Sequence, residues 1–145
     1  MTVKPIPDGY HTLTPMVHVR HVPRLMEFLR QAFGAEEIMR FNLPDGSVMH
    51  AEMKIGDSPY MMGELMDDFP PATSNLYLYV IDVDATYRAA LEAGGESLYE
   101  PADQFWGDRT ATVRDPAGNT WWIATHVEDV DPDELARRAE AIGPS

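Results

Sequence analysis

The chain contains no cysteine. That removes disulfides, thiolate metal sites and cysteine nucleophiles together, and it suits a reducing compartment. No apolar run approaches the length of a membrane span, and the first residues lack a charged-then-apolar leader pattern. A cytoplasmic protein with no membrane partner is therefore expected. Basic residues are scarce: 11 Lys and Arg stand against 24 Asp and Glu, a formal charge of −13 with pI near 4.5. Such a balance argues against nucleic acid or an anionic membrane as partner, although a local Arg can still bind an anion. There is no phosphate loop, no zinc motif, no glycine-rich loop suited to an adenosyl cofactor, and no Ser/His/Asp order that stands out.

What remains is a chain of 145 residues, 44% hydrophobic, enough for one domain with a real core. The stretch from 103 to 129 organises it. Residues 110–114 and 120–126 are rich in Thr, Val, Ile and Trp, and between them Asp115-Pro116-Ala117-Gly118-Asn119 is a run of turn formers. A β-hairpin is expected there. Just before it, Gln104-Phe105-Trp106-Gly107-Asp108-Arg109 places two aromatics, a glycine and a charge pair at a sheet rim.

Taken in order, residues 12–20 alternate as a strand. Val22, Leu25, Met26, Leu29 and Phe33 then recur at helical spacing, with Pro23 in the first turn and Gly34 as the stop. Strands follow at 36–43, 48–55 and 58–64, the first two joined by Pro44-Asp45-Gly46. Residues 67–74 read as a linker around Pro70-Pro71. The order then repeats. A strand spans 75–80, and a helix spans 83–93 with Asp82 as N-cap and Gly94-Gly95 as its stop. A strand at 96–101 leads into the hairpin. The element order β-α-β-β-β thus occurs twice, as an internal repeat of elements rather than of residue identity. One domain over 1–145 is expected, with module one at about 10–66, module two at about 75–129 and a polar helix or tail at 130–145. Each half is too small to bury both faces of its sheet, so the halves should share one sheet or pair across a dimer.

Several stretches carry a family resemblance: Pro15-Met16-Val17-His18-Val19, Ala32-Phe33-Gly34-Ala35-Glu36, Val48-Met49-His50-Ala51-Glu52, the run from Gln104 to Arg109, and Arg114-Asp115-Pro116-Ala117-Gly118-Asn119 with Trp121. From residue 10 to 129 the chain resembles the vicinal oxygen chelate superfamily, also called the glyoxalase/bleomycin-resistance/extradiol-dioxygenase fold, and within it the PhnB-like branch. The resemblance implies an α+β fold of two βαβββ modules whose sheets curl around a cavity, commonly in a homodimer. It also implies one metal ligand on the first and one on the last strand of each module in the metal-dependent members. Aligned by the turns, those positions fall on Thr14, Met62, Asn75 and Trp122. Met and Trp do not bind a hard divalent ion, and Thr and Asn are poor ligands without carboxylates beside them. No metal and no other cofactor are expected, which departs from glyoxalase and dioxygenase activity and fits the members that bind hydrophobic or antibiotic ligands.

Strand alternation assigns the residues that face such a cavity. Thr14, Met16, His18 and Arg20 share a face of the first strand; Tyr60, Met62 and Glu64 share one on the fourth. Asn75, Tyr77 and Tyr79 do so on the fifth, and Thr120, Trp122, Ala124 and His126 on the eighth. Ligand contacts are expected from Tyr77, Tyr79, Trp122, Met62 and His18, though core filling is the alternative for Met16 and Met62. Trp106 and Arg109 add a flat apolar face and an anion grip. Their alternative is a loop pinned by Arg109 on Asp103 or Asp108. His50 and Glu52, two apart on one strand, share a face and could serve as acid/base catalysts. They could also supply an unconventional metal site with His18 or His126. The plainer reading is a cross-strand salt bridge or hydrogen bond, with Glu52 opposite Arg40 or the neighbours of Lys54 and His50 at a sheet edge. The function expected is binding of a small aromatic or amphipathic molecule; a lyase or isomerase using His50 and Glu52 is the alternative.

Overall fold

The computed structural model describes residues 3–65 and 74–143. The linker expected at 67–74 lies outside them, apart from Ser74. The elements run β1 (Met16–Val19), α1 (Val22–Phe33), β2 (Glu36–Asn42), β3 (Val48–Ile55), β4 (Ser58–Glu64), β5 (Asn75–Tyr79), α2 (Val83–Glu92), β6 (Glu96–Asp103), β7 (Asp108–Arg114), β8 (Thr120–His126) and α3 (Pro132–Ile142). The βαβββ order is present twice. The modules do not share a sheet: each builds its own four-stranded mixed sheet, ordered β1-β4-β3-β2 and β5-β8-β7-β6.

Helix α1 forms where the apolar spacing and Pro23 place it. Its N-terminus is capped from a distance: the Glu64 carboxylate at the end of β4 accepts from the backbone N–H of His21 (3.3 Å) and Val22 (3.1 Å). Helix α2 starts at Asp82, whose side chain accepts from Ala85 N–H at 3.1 Å. The two helices pack on each other as well as on their own sheets. This explains why Phe28, outside the apolar stripe visible in the sequence, is fully buried. Its ring meets Gly95 just beyond α2, where an added Cβ would come 3.1 Å from the Phe28 ring and 2.9 Å from the Ala90 carbonyl oxygen.

One continuous core results, drawn from both modules. Trp121 stands at the seam, its ring centroid 4.8 Å from Phe33 of α1 and 5.6 Å from Tyr60 of β4. The indole is oriented by the hairpin turn. Asp115, 3% exposed, accepts from Trp121 Nε1 (2.8 Å), Asn119 Nδ2 (3.1 Å), and the backbone N–H of Ala117 (2.8 Å) and Asn119 (3.0 Å). Because helices and seam occupy one face of each sheet, the other face of each sheet is left open.

Asp115→Ala strands buried donors from the turn and the indole, and should cost about 3 kcal/mol of stability in urea unfolding. Trp121→Phe, which keeps a ring but loses the N–H, should cost clearly less in the Asp115→Ala background than in the wild type.

Candidate functional site

The open face of the second sheet is set by the register of β5, β8 and β7. Tyr77 lies beside Trp122 and Tyr79 beside Ala124. Thr112 and Thr110 follow across β7, and Asp108 is paired with His126. Tyr79 is 62% exposed and Trp122 is half-buried, its ring 6.0 Å from that of Tyr99 on β6. At one end of this face a carboxylate gathers the polar groups. Asp108 is 2% exposed; its Oδ2 accepts from Tyr77 Oη (2.6 Å), Tyr79 Oη (2.9 Å) and Trp106 Nε1 (3.2 Å), and its Oδ1 from His126 Nδ1 (2.8 Å).

Burial pushes the Asp108 carboxyl up, but the donors from Tyr77, His126, Tyr79 and Trp106 outweigh it and hold the group below the usual carboxylate range. Burial, and then Asp108 itself, push the Tyr77 phenol up to about 12, so it is a donor and not an acid near neutrality. His126 is bracketed: Nδ1 donates to Asp108 and Nε2 to Asp129 (2.7 Å), and these two carboxylates raise its pKa. When protonated, the ring donates from both nitrogens and ties β8 to the segment beyond it. The same segment closes over Gly107, at φ +101°, whose carbonyl accepts from Val127 and Glu128 N–H; an added Cβ there would lie 2.2 Å from the Glu128 carbonyl oxygen. The Phe-Trp-Gly-Asp-Arg run is thus a clasp.

Arg109 belongs to that clasp and not to a ligand grip. Its neighbour across the ladder is Thr125, on the helix side of the sheet. Nε and Nη2 donate to Asp84 of α2 (3.0 and 3.1 Å), and Nη1 donates to Asp103 (3.2 Å). A guanidinium so engaged has little left for an anion, and the expected contact is corrected accordingly.

The open face of the first sheet carries Met16 and His18 on β1, Met61 on β4, His50 and Glu52 on β3, and Met39 and Phe41 opposite them on β2. The face expected for β4 is therefore wrong by one residue. Tyr60 and Met62 point into the core, where Met62 is fully buried beside Val17, and Glu64 caps α1. Met62 is not on the open side, and the metal position matched to β4 falls on the side of Met61 and Gly63. The donor set remains unsuited to a hard divalent ion, since none of Thr14, Met61, Gly63, Asn75 and Trp122 supplies a carboxylate or imidazole. Among the described residues, no three His, Asp or Glu side chains group as metal ligands.

His50 and Glu52 do meet: Nε2 of His50 donates to Glu52 Oε2 at 2.8 Å. Their setting differs from the cross-strand bridge expected. β3 is an inner strand, so His50 is not at an edge, and Met39, not Arg40, stands opposite Glu52. Arg40 pairs with Glu37. The second partner of Glu52 is Tyr10, whose hydroxyl donates to Oε1, and this contact raises the Tyr10 pKa. Sequence reading missed Tyr10, which lies in irregular chain ahead of β1 and carries no periodic signal. Nδ1 of His50 makes no hydrogen bond among the described residues. At the seam, a recess of about 250 Å³ touches Tyr77 but is walled by Trp121 and Tyr60, not by Trp122.

A model of the Glyoxalase/Bleomycin resistance protein/Dioxygenase superfamily matches residues 11–123. The chain belongs to that superfamily. An uncharacterized protein of Mycobacterium bovis is 33% identical over 147 aligned residues, covering 90% of this chain and 93% of that protein. Among solved structures, TioX from Micromonospora sp. ML1 superposes with a TM-score of 0.65 at 22% identity, covering 79% of this chain and 99% of that one. A PhnB protein from Bacillus cereus, described as a putative 3-demethylubiquinone-9 3-methyltransferase, gives 0.62 at 18% identity, covering 79% of this chain and 99% of its own. At these identities the two solved structures carry the fold alone. This superfamily member contains no described helix long and apolar enough to cross a membrane.

His126 has a raised pKa in the folded protein, so its contribution to stability is complete below the unfolded value of about 6.5 and fades as pH climbs through the raised folded one. Wild type should therefore exceed His126→Gln in urea midpoint at about pH 6 and lose that advantage at higher pH. An NMR titration of His126 should show the elevated pKa, and Asp108→Asn should bring it down.

Proposed function

We propose that the chain forms a homodimer that binds a small aromatic or amphipathic molecule against its open sheet faces, without a metal, as a resistance or sequestration protein does. The observation that carries this reading is the pair of outward faces. One bears Tyr77, Tyr79, Tyr99 and Trp122; the other bears Met16, Met39, Met61 and Phe41. Large apolar groups concentrated on an open face are unusual for a monomer and mark a binding surface. A second copy would set one face against another and turn two open surfaces into a walled cavity. Aromatic side chains with fixed hydroxyls, opposite adaptable thioethers, suit a ligand that is flat and partly polar. The unsuitable donors at the family's metal positions support a metal-free site. The lack of cysteine supports a cytoplasmic setting.

A second reading is favoured by one observation, the Glu52–His50 pair. A carboxylate that holds Nε2–H leaves Nδ1 as the basic atom, facing the same side as the apolar residues. Such a pair could withdraw a proton from a bound substrate and return it elsewhere, as a lyase or isomerase would. His50→Gln would then abolish turnover while leaving ligand affinity nearly intact, whereas under simple sequestration there is no turnover to lose.

Light scattering should give the mass of a dimer, and a panel of planar aromatic and amphipathic compounds should include members that raise the melting temperature by several degrees. Trp122→Ala and Tyr77→Ala should remove that shift. A strict monomer whose melting temperature no compound moves would overturn the proposal.

A further inference from the structure

The chain ahead of β1 builds a wall over the first sheet's open face. Pro5, Ile6, Pro7 and Tyr10, with Thr12 and Thr14, enclose an open recess of about 500 Å³ against Met39, Met61 and Glu52. A turn in which Tyr10 N–H donates to the Pro7 carbonyl (3.1 Å) shapes the strap, and the Tyr10 hydroxyl ties it down on Glu52.

Besides Tyr10, the recess lining holds two ionisable groups, the carboxylate of Glu52 and the imidazole of His11, whose Nε2 lies 3.8 Å from Asp57. Glu52 is 5% exposed and supplies the lining's one carboxylate; no Lys or Arg lines it, and Lys54, two residues along β3, lies outside. Its two bound partners are a phenol and an imidazole, and a carboxylate has lone pairs beyond the two they occupy. A buried carboxylate among thioethers, prolines and an aromatic ring, with no Lys or Arg in the lining, is costly to desolvate, and a cation brought to it would offset that cost. The chain's large negative charge adds a long-range attraction for cations.

We propose that the strap recess selects an organic cation: a protonated amine on an apolar body, with the ammonium on Glu52 and the body against Tyr10, Met39 and Met61. This names the ligand class for one of the two open faces and rests on the binding function proposed above. The amine donates charge-assisted hydrogen bonds to Glu52, and the Tyr10 ring and the thioethers take up the hydrocarbon. Tyr10 then has a double role, as wall and as the group that fixes the carboxylate.

Phenethylamine and phenethyl alcohol have nearly the same shape and differ in charge at neutral pH, and both are titrated into the wild-type protein by calorimetry and methyl NMR. The amine should bind about tenfold tighter or more, with shifts at the Met39 and Met61 methyls. Glu52→Gln should erase the preference, and Tyr10→Phe should weaken binding of the amine. Equal affinity for the two probes, shifts confined to the second sheet, or a preference that survives Glu52→Gln would each overturn the cation assignment while leaving the binding function standing. If neither probe binds and the wider compound panel also fails, the cation assignment and the binding function fall together. Should Glu52→Gln not fold, the wild-type comparison of amine with alcohol and its methyl map decide the matter.

Discussion

The hydrogen bond from Trp121 Nε1 to the buried Asp115 carboxylate is the constraint on which the arrangement of the molecule depends. Asp115 shapes its own turn by accepting from Ala117 and Asn119, and the same carboxylate fixes the direction of an indole two strand positions beyond the turn. Asn119 continues the tie, since its Oδ1 accepts from Ser74 N–H at 3.2 Å where β5 begins. The indole so held packs on Phe33 and Tyr60 of the other module. A local turn thus sets the contact between modules. Once that contact uses one face of each sheet, the opposite faces must look outward, and the open faces proposed as a binding surface follow from it.

Much of this was legible in the sequence, and the misses have particular causes. The repeated element order, α1, and the Asp115–Asn119 turn were readable because each rests on local signals: apolar period, proline and glycine placement, and side chains that bond their own backbone. The face of β4 was not. Pro59-Tyr60-Met61-Met62-Gly63 is apolar at every position, so it offers no alternation to read, and an offset of one residue exchanges the two faces completely. The same ambiguity attends Trp121 and Trp122, chemically identical neighbours on β8. What separates them is the carboxylate waiting for one indole N–H inside the core.

Long-range partners account for the rest. Arg109 looks like an anion-binding group in the sequence because its main partner, Asp84, lies on a helix packed across the sheet. Phe28 falls outside the amphipathic stripe because α1 is covered on two sides, by its own sheet and by the other module. Tyr10 gives no local sign that it will meet Glu52, 42 positions later. The residues that carry the site were visible one by one; their pairings needed the fold.

Those pairings also separate the two open faces. Each bears a carboxylate joined to an imidazole, but the two imidazoles are in opposite situations. Both nitrogens of His126 lie against carboxylates, which raise its pKa and occupy both of its ring positions, so its work is to fasten β8 and the Trp106 clasp. His50 donates from one nitrogen, and its partner Glu52 sits at the floor of a recess beneath a strap. A proton-transfer role needs an atom that can still accept, and a binding role for an ammonium needs a carboxylate with lone pairs still open, as on Glu52 with two donors and not on Asp108 with four. Only the first sheet meets both needs. Under the proposed binding function, the aromatic face of the second sheet would shape and shield a ligand, while charge recognition and any chemistry would belong to the methionine-rich face opposite.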